Sequence, residues 1–428
     1  MKKIIVVIIV CMIIISGMFM YNKSDKKDLL EDNNGPIIAA VIDGKASTSF
    51  PTTNKYVATV ECTRNGKKID ANESITWNGT KWILTTAISD GNVRCNAIFK
   101  TPNFAETILA NNEVKTPITT PGAAVSTASE ALLASAEDDN GTSYYFRGTV
   151  KNNYVQFANK CWRIVRVGGD GSVKLILHND NPTGAVNPCS SANNSTSAAF
   201  ARYSGTTYKS AFNTNYNDNA YVGFKYGTAG ASGYASAHAN TNNSTILTNL
   251  ETWYTNNLKT YESVIDNSVW CNDKTNVTDT SYDPWNITPN GLGYAKNLTY
   301  YGATQRLVGT SGSAGGRGQS LKCNGELSKI NSKIGLITSD ELALAGYAYA
   351  KNNTTTYLQE NATDVWWWSL SPYYFNGSYA YVWVVGGSNG YFDYSNVSNT
   401  KGVRPSISLK PSTNVTGNGT SEKPYVVN

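Results

Sequence analysis

The stretch VWWWSLSPYYFNGSYAYVWVVGGSNGYFDYSNVSNTKGVRPSISLK occupies residues 365–410. The predicted fold rests mainly on this stretch. Twelve aromatic residues fall within 366–394, spaced by Gly, Ser and Asn and accompanied by very few charges. Tyr379, Tyr381 and Trp383 alternate with Ala or Val, which is the period of a β-strand. The GGSNG stretch then predicts a turn, after which a second extended segment begins. The block therefore predicts paired strands rich in flat rings, which favours recognition over catalysis.

The composition points the same way. The chain has 428 residues, of which 16% are charged, and its net charge of +5 is spread without a run of Lys or Arg. A nucleic acid is therefore not an expected partner, because binding a phosphate backbone needs clustered positive charge. Polarity comes instead from Asn, Ser, Thr, Gly and Tyr. Such residues suit turn-rich β structure and a surface that binds through hydrogen bonds and rings.

An apolar stretch at the N-terminus predicts export. Residues 4–20 are almost entirely apolar and follow Lys2 and Lys3. The stretch is intermediate in length between a signal-peptide core and a full membrane span, and no small-x-small cleavage site follows it. We expect residues 1–21 to be a signal anchor, with a cleaved signal as the alternative. The protein is then expected in the cell membrane as a single-pass protein with its bulk outside, or secreted if the signal is cleaved.

Six cysteines beyond Cys11 predict disulfides. None lies in a CxxC motif and only two histidines occur, so neither a metal site nor a cofactor is expected. Disulfides are typical of exported proteins, and free buried thiols are the alternative. The domain boundaries favour pairing in sequence order: Cys62 with Cys95, Cys161 with Cys189, and Cys271 with Cys323.

Three segments follow the N-terminal stretch. Residues 36–105 contain short alternating strands and two Asn-Gly turns, which predict a small all-β, immunoglobulin-like sandwich. Residues 106–142 carry prolines, a glycine and an Ala/Ser/Thr stretch, which predict a linker; a short helix through 131–133 is the alternative. Residues 143–428 predict one domain with strands, an amphipathic helix over 246–259, and long ordered loops.

Several motifs in the last segment carry a family resemblance. WWWSLSP, the alternating aromatic strand, GGSNGYFDYSNV and GVRPSISLK together resemble the C-terminal half of bacterial C-type-lectin-like domains. They are also similar to the ending of some bacterial adhesin domains and of formylglycine-generating-enzyme-like domains. With CWRIVR, WCNDK, LKC and GLITSDELALAG, the ending resembles surface proteins of Gram-positive (Bacillota-like) bacteria over roughly 145–428. The resemblance implies an α+β C-type-lectin-like C-terminal domain, and it transfers no activity.

The aromatic block supplies the candidate ligand-binding residues. Consecutive strand residues face opposite sides, so at least one of the three tryptophans at 366–368 is expected in the core. Tyrosines beside turns are better placed for exposure, and each combines an apolar ring with a hydroxyl. The candidates are Trp367, Tyr373, Tyr374, Tyr379, Tyr391 and Tyr394.

Two further motifs have structural interpretations. Arg404 is a single charge in an apolar context and is expected to be structural, paired with a carboxylate; direct ligand contact is the alternative. Residues 270–273, Trp-Cys-Asn-Asp, are similar to the calcium motif of animal C-type lectins. The inserted cysteine breaks that spacing, so we expect a turn beside a disulfide.

No residue pattern predicts catalysis, and we expect a protein that is not an enzyme. His178 and His238 lie in no recognisable nucleophile motif. Thr338 and Glu341 predict a capping box, which explains the acidic pair formed by Asp340 and Glu341. The predicted function is an adhesin-like binding protein that recognises a glycan or a host or surface protein non-covalently. The alternative is a structural envelope or spacer protein. A formylglycine-generating oxidase is less favoured, because the aromatic block lacks a reactive cysteine pair.

Overall fold

The computed structural model describes residues 37–70, 72–87, 92–120, 122–123, 125 and 129–427. The chain divides into two compact units, the first ending at Pro102 and the second beginning at Asn103. Strands account for 34% of the described residues and helices for 13%, so this part of the chain is mostly β.

The described residues of the first unit form seven strands. They are β1 Ile37–Ile42, β2 Lys45–Ser47, β3 Val57–Arg64, β4 Lys67–Ile69, β5 Ser74–Trp77, β6 Trp82–Thr85 and β7 Val93–Lys100. Five of them form one sheet in the order β2-β1-β7-β3-β4, with β1 parallel to β7, while β5 and β6 form a separate hairpin. The core is small: Phe99 is fully buried, and the Trp82 ring packs against it with centroids 5.3 Å apart.

The first disulfide corrects the predicted immunoglobulin-like sandwich. Cys62 and Cys95 are directly opposed on the neighbouring strands β3 and β7, with Cα atoms 4.0 Å apart. The disulfide therefore staples adjacent strands of one sheet, whereas the immunoglobulin pattern links two facing sheets. That part of the predicted fold class is wrong. The strands themselves follow the predicted segments, because alternating residues and Asn-Gly turns define strands locally without defining how sheets stack.

The second unit holds the remaining strands and helices. Its strands are β8 Ala131–Asp138, β9 Gly141–Gly148, β10 Tyr154–Phe157, β11 Lys160–Val167, β12 Val173–Asn179, β13 Lys209–Ala211, β14 Lys225–Tyr226, β15 Asn242–Asn243, β16 Ser268–Cys271, β17 Thr299–Tyr300, β18 Lys329–Ser332, β19 Trp367–Phe375, β20 Ala380–Val385, β21 Phe392–Asn396, β22 Thr400–Gly402, β23 Ser406–Leu409, β24 Val415–Thr416 and β25 Tyr425–Val427. Its helices are α1 Phe104–Ala110, α2 Tyr234–His238, α3 Thr245–Asn257, α4 Gly302–Leu307 and α5 Ser339–Ala345.

Two larger sheets organise this unit. One has the order β23-β12-β11-β10-β25-β24, with β9 joined to β11 and β8 to β9; the other has the order β13-β22-β19-β20-β21, with β17 joined to β19. All nine residues of β19 are buried, and so are all seven of β12. Alternate residues of these strands therefore do not define one exposed face and one buried face, because both faces of each strand are covered.

The α+β C-type-lectin-like prediction for residues 143–428 is wrong. Among the described residues of this range, the longest helix, α3, has 13 residues and the other three α-helices have five to seven. The motifs behind the resemblance do form strands and a capped helix: Thr338 and Glu341 make the predicted capping box at the start of α5. Local patterns of that kind occur in many folds, so they did not define how the strands are ordered into sheets.

The predicted linker over 106–142 differs from the structure as well. Most of α1 lies within it, and β8 pairs along its whole length with β9. The Val125 amide also donates to the Gly346 carbonyl oxygen over 2.9 Å. Residues 131–133, for which a helix was the alternative, belong to β8. This Ala/Ser-rich segment is therefore part of the second unit. Its composition did not mark it as a strand, although its partner β9 begins only three residues after β8 ends.

The membrane assignment also needs correction. No helix among the described residues is long and apolar enough to cross a membrane. The segment 1–21, predicted to be a signal anchor or transmembrane helix, lies outside those residues. For the part of the chain that the structure describes, the single-pass assignment is wrong. The three predicted disulfides, in contrast, are all present with the predicted pairing.

Candidate functional site

Strands β19, β20 and β21 bring most of the aromatic residues into one cluster. The register places Tyr374 opposite Tyr381 and Trp383 opposite Tyr394. Aromatic rings directly opposite each other on neighbouring strands contact one another, so the cluster follows from the register. The loop after β16 adds Trp285, whose ring centroid lies 5.8 Å from that of Tyr374.

Three predicted ligand-binding residues are buried: Tyr373 and Tyr374 lie inside this cluster, and Trp367 lies at the start of β19 beside Arg404. Trp367 and Tyr373 are completely buried, and Tyr374 is nearly so. The Tyr373 ring is stacked on Tyr394 at 4.1 Å and meets Trp383 edge-on at 4.7 Å. Burial raises the pKa of Tyr374, as expected for a phenol away from water. These three side chains pack the core and present no surface to a ligand.

A line of four tyrosines leads from this cluster to solvent, and we call Tyr216, Tyr379, Tyr381 and Tyr394 the tyrosine ladder. Tyr216 and Tyr379 are stacked at 5.2 Å and 19°, and they are 40% and 41% exposed. Tyr379 contacts Tyr381 at 6.4 Å, and Tyr381 meets Tyr394 edge-on at 5.4 Å. The ladder thus begins with an exposed pair and ends at the half-buried Tyr394, which is stacked on the buried Tyr373.

The turn between β19 and β20 holds the exposed pair in place. The Asn376 side-chain oxygen accepts hydrogen bonds from the backbone amides of Ser378 and Tyr379, over 3.0 and 2.8 Å. Gly377 follows with φ of +92°, a conformation that favours glycine. The Ala380 amide donates to the Tyr216 carbonyl oxygen over 2.7 Å, which ties the loop carrying Tyr216 to the turn. Both rings therefore sit on backbone with defined partners.

Sequence reasoning identified Tyr379 and Tyr394 as candidate binding residues of the ladder, but not Tyr381 and not Tyr216. That residue lies in a loop rich in Asn and Thr, more than 160 positions before its stacking partner. The available signal was the recurrence of aromatic residues in otherwise polar loops. Tyr391, also predicted, is half-buried and its ring meets Trp366 at 6.3 Å rather than the exposed pair.

Arg404 is structural, but its partners are not those predicted. Its Nε donates to the Leu177 carbonyl oxygen over 2.9 Å and its Nη1 to that of Leu358 over 2.5 Å. The guanidinium also lies 4.9 Å from the Trp367 ring centroid. Burial lowers its pKa to about 10. Across the described chain no carboxylate pairs with it, so the predicted carboxylate is replaced by carbonyl oxygens and a ring.

A second notable feature is a charged cavity of about 80 Å³ beside the Cys271–Cys323 disulfide. Glu341 accepts from Arg166 Nε over 2.9 Å and from Lys174 Nζ over 2.7 Å. Burial raises the pKa of Glu341, but the charges of Lys174 and Arg166 outweigh it and hold that pKa at about 2. Arg166 also pairs with Asp138 over 2.8 Å.

Arg306 extends this network on the other side of the cavity. It pairs with Asp273 over 2.6 Å and with Asp340 over 2.7 Å. The acidic pair at the start of α5 therefore serves both the helix and a buried ion network. Asp273 belongs to the Trp-Cys-Asn-Asp motif, and it pairs with an arginine beside a disulfide. Within the residues described, no group of three or more His, Cys, Asp or Glu is placed to hold a metal ion.

Both histidines are buried. His178 Nε2 lies 3.2 Å from the Asn361 amide nitrogen, and burial together with the charge of Arg163 lowers its pKa well below the usual value. His238 Nε2 lies 2.7 Å from the Gly293 carbonyl oxygen, and burial lowers its pKa to about 3. Neither ring meets a carboxylate in the described structure, so an acid–base pair of the kind that catalysis uses is not formed there.

Comparison with known proteins adds one match. Residues 310–411 match the model of a family described as a domain of unknown function, DUF6273. The match spans roughly a quarter of the chain and contains Tyr379, Tyr381 and Tyr394 of the tyrosine ladder as well as Glu341 of the charged network. No curated protein and no solved structure matches the chain.

Proposed function

We propose that the protein binds a glycan non-covalently, through the exposed end of the tyrosine ladder. The observation that carries this proposal is the stacked pair of Tyr216 and Tyr379, two residues that are each about two-fifths exposed to solvent. Tyrosine offers a rigid apolar face and a hydroxyl at a low cost in side-chain entropy. A sugar ring presents an apolar C–H face and hydroxyls, which complement both features.

The surroundings of the pair support an uncharged or weakly charged ligand. The segments that carry the rings read NTNYNDN over 213–219 and NGSYA over 376–380, so amides and hydroxyls predominate. Amide groups both donate and accept hydrogen bonds, as recognition of hydroxyls requires. The three disulfides are typical of proteins in an oxidising environment, where extracellular glycans are found.

A protein ligand and a purely structural role are the two competing functions. A spacer protein accounts well for buried rings such as Trp367 and Tyr373. It offers no reason for a stacked pair of tyrosines at the surface, where packing contributes less. For this reason we favour recognition.

A glycan array probed with the purified protein tests the proposal. We expect binding to a subset of glycans, and we expect Tyr379→Ala to weaken it about tenfold, because a lost aromatic contact and its buried area amount to about 1.4 kcal/mol. Tyr379→Phe keeps the ring and is the matched variant; it should stay within about threefold of the wild type. Val186→Ala alters another exposed side chain and should change nothing.

Two results contradict the proposal. One is an array on which no bound glycan depends on Tyr379. The other is binding to whole cells that survives periodate oxidation of sugars and disappears after protease treatment, which would assign a protein ligand instead.

A further inference from the structure

The second unit contains another cavity, of about 340 Å³, far from the aromatic block in the sheet order. It opens between the β10–β11 turn, residues 260–264 and the C-terminal strand β25. Its volume lies at the lower end of the range of about 300–1,000 Å³ typical of small-molecule sites. Nothing in the family match bears on it, because these segments lie outside 310–411.

The walls of this cavity are held by the eight-stranded sheet. Strand β10 pairs antiparallel with β11 and parallel with β25, where Gln156 is opposite Val426. The turn residues Ala158 and Asn159 have φ of 52° and 56°, the values of a tight hairpin turn. Gln156 Nε2 donates to the Val186 carbonyl oxygen over 3.0 Å, which orients the amide. The β10–β11 hairpin and β25 thus contribute paired backbone to the cavity, as expected of a preformed site, while residues 260–264 are not part of the sheet.

One side of the cavity is apolar and open to solvent. Tyr261 is 40% exposed and Val426 is 38% exposed, and both line it. The Tyr261 ring is supported edge-on by Phe157, with centroids 5.3 Å apart. Two of the larger exposed apolar side chains of this unit therefore meet at one place, which marks apolar surface that a ligand could cover.

The other side offers neutral hydrogen-bonding groups. The hydroxyls of Thr260 and Ser263 make no hydrogen bond within the described part of the chain, and neither does the side-chain oxygen of Gln156. No carboxylate, ammonium or guanidinium belongs to the residues that line the cavity. One ammonium adjoins the cavity: Lys410 Nζ donates to the Ser263 backbone carbonyl oxygen over 2.6 Å, so it already has a partner. At the lining itself a charged ligand would lose hydration without gaining a charged partner, which is unfavourable.

We propose that this cavity binds an uncharged sugar ring. The C–H face of a pyranose would lie against Tyr261 and Val426, and its hydroxyls would meet Gln156, Thr260 and Ser263. The inference stands independently of the tyrosine ladder, because the two sites share no residue and belong to different sheets. The ligand class follows from the lining: one apolar face, several neutral polar groups and no ion.

Saturation-transfer NMR on the whole protein tests this site. The probes are the methyl glycosides of glucose, galactose, mannose and N-acetylglucosamine, with methyl glucuronide as the charged counterpart. We expect at least one neutral glycoside to bind, and Tyr261→Ala to raise its dissociation constant about tenfold. Tyr261→Phe, which keeps the ring, should stay within about threefold of the wild type. Binding should change little between low and high salt, since none of the residues that line the cavity is charged.

Tyr379→Ala separates this site from the tyrosine ladder and should leave the Tyr261-dependent signal unchanged. Near-ultraviolet circular dichroism checks that each variant is folded. Val426→Asp provides a second test: it places a charge in the cavity without removing the ring, and it should weaken the binding of the neutral glycoside. The proposal is overturned if no neutral glycoside gives a Tyr261-dependent signal. It is equally overturned if methyl glucuronide or N-acetyltyrosinamide binds there as tightly as the best neutral glycoside.

Discussion

Glu341 anchors the charged network, and its replacement by glutamine is the sharpest test of how the second unit is held together. The carboxylate is 3% exposed and serves Lys174, Arg166 and the backbone amide of Thr338. Glutamine keeps the shape and one acceptor but removes the negative charge. Lys174 is almost fully buried and forms its ion pair with Glu341, so the glutamine variant would leave the Lys174 ammonium without that charged partner.

Two independent estimates give the magnitude of this change. Removing one partner of a buried ion pair costs about 3–5 kcal/mol, because the remaining charge stays desolvated. A pKa that falls from 4.5 to about 2 corresponds to about 3 kcal/mol of stability at neutral pH. We therefore expect Glu341→Gln to lower the free energy of unfolding of the second unit by about 3 kcal/mol.

The same carboxylate predicts a pH dependence with a definite sign. Its pKa in the folded protein lies below the unfolded value, so its contribution is present above about pH 4.5 and is lost as the pH falls toward 2. Denaturant titrations followed by tryptophan fluorescence at pH 7 and pH 3 would show a smaller drop in stability for Glu341→Gln than for the wild type.

A matched control exists at the surface. Glu326 forms an ion pair with Lys329 over 2.7 Å, but its side chain is 87% exposed. Glu326→Gln should change stability by less than about 1 kcal/mol, because exposed pairs contribute little. Adding Lys174→Met to Glu341→Gln should recover part of the loss, since it removes the uncompensated charge. A loss below about 1 kcal/mol for Glu341→Gln, or an unchanged pH dependence in that variant, would refute the reasoning.

Two further changes test packing and covalent closure. Gly335→Ala would place a Cβ 2.4 Å from the Trp270 ring, and we expect denaturant titrations to show a loss of about 1–3 kcal/mol in the free energy of unfolding. Gly233→Ala is the control, because its Cβ meets nothing within 4 Å. Equal stability of the two variants would contradict the prediction. Replacing Cys62 and Cys95 together by alanine removes a disulfide that links residues 33 positions apart, and it should lower the stability of the first unit by about 3–4 kcal/mol. Calorimetry of the whole protein measures this change. An unfolding transition that is unaltered in the double variant and in the reduced wild type would contradict the prediction.

Local features of this protein were predictable from its sequence. The alternation of Tyr379, Tyr381 and Trp383 with small residues gives a strand, and the Thr338–Glu341 spacing gives a capped helix. These features depend on neighbours within a few residues, so the sequence contains all the information they need. The disulfide pairing was also predictable, since each pair lies within one region of the chain.

The arrangement of sheets was not predictable in this way. The same strand patterns are compatible with a sandwich, a lectin-like domain or the mixed sheets observed, because alternation defines a strand and leaves its neighbours open. β10 pairs with β25 across more than 260 residues, and no local signal marks that partnership. The fold class therefore needed the tertiary structure.

What the sequence by itself determined is the inventory: β-strands rich in aromatic residues, three sequential disulfides, and an excess of neutral polar groups over charges. Only the tertiary structure decided which of those rings meet solvent. Tyr373 and Tyr379 have the same chemistry and lie six residues apart, yet one is buried under Trp285 and Tyr394 while the other is stacked on Tyr216 at the surface. Burial depends on what covers a side chain, and here Tyr373 is covered by Trp285 from a distant loop and by Tyr394 from strand β21.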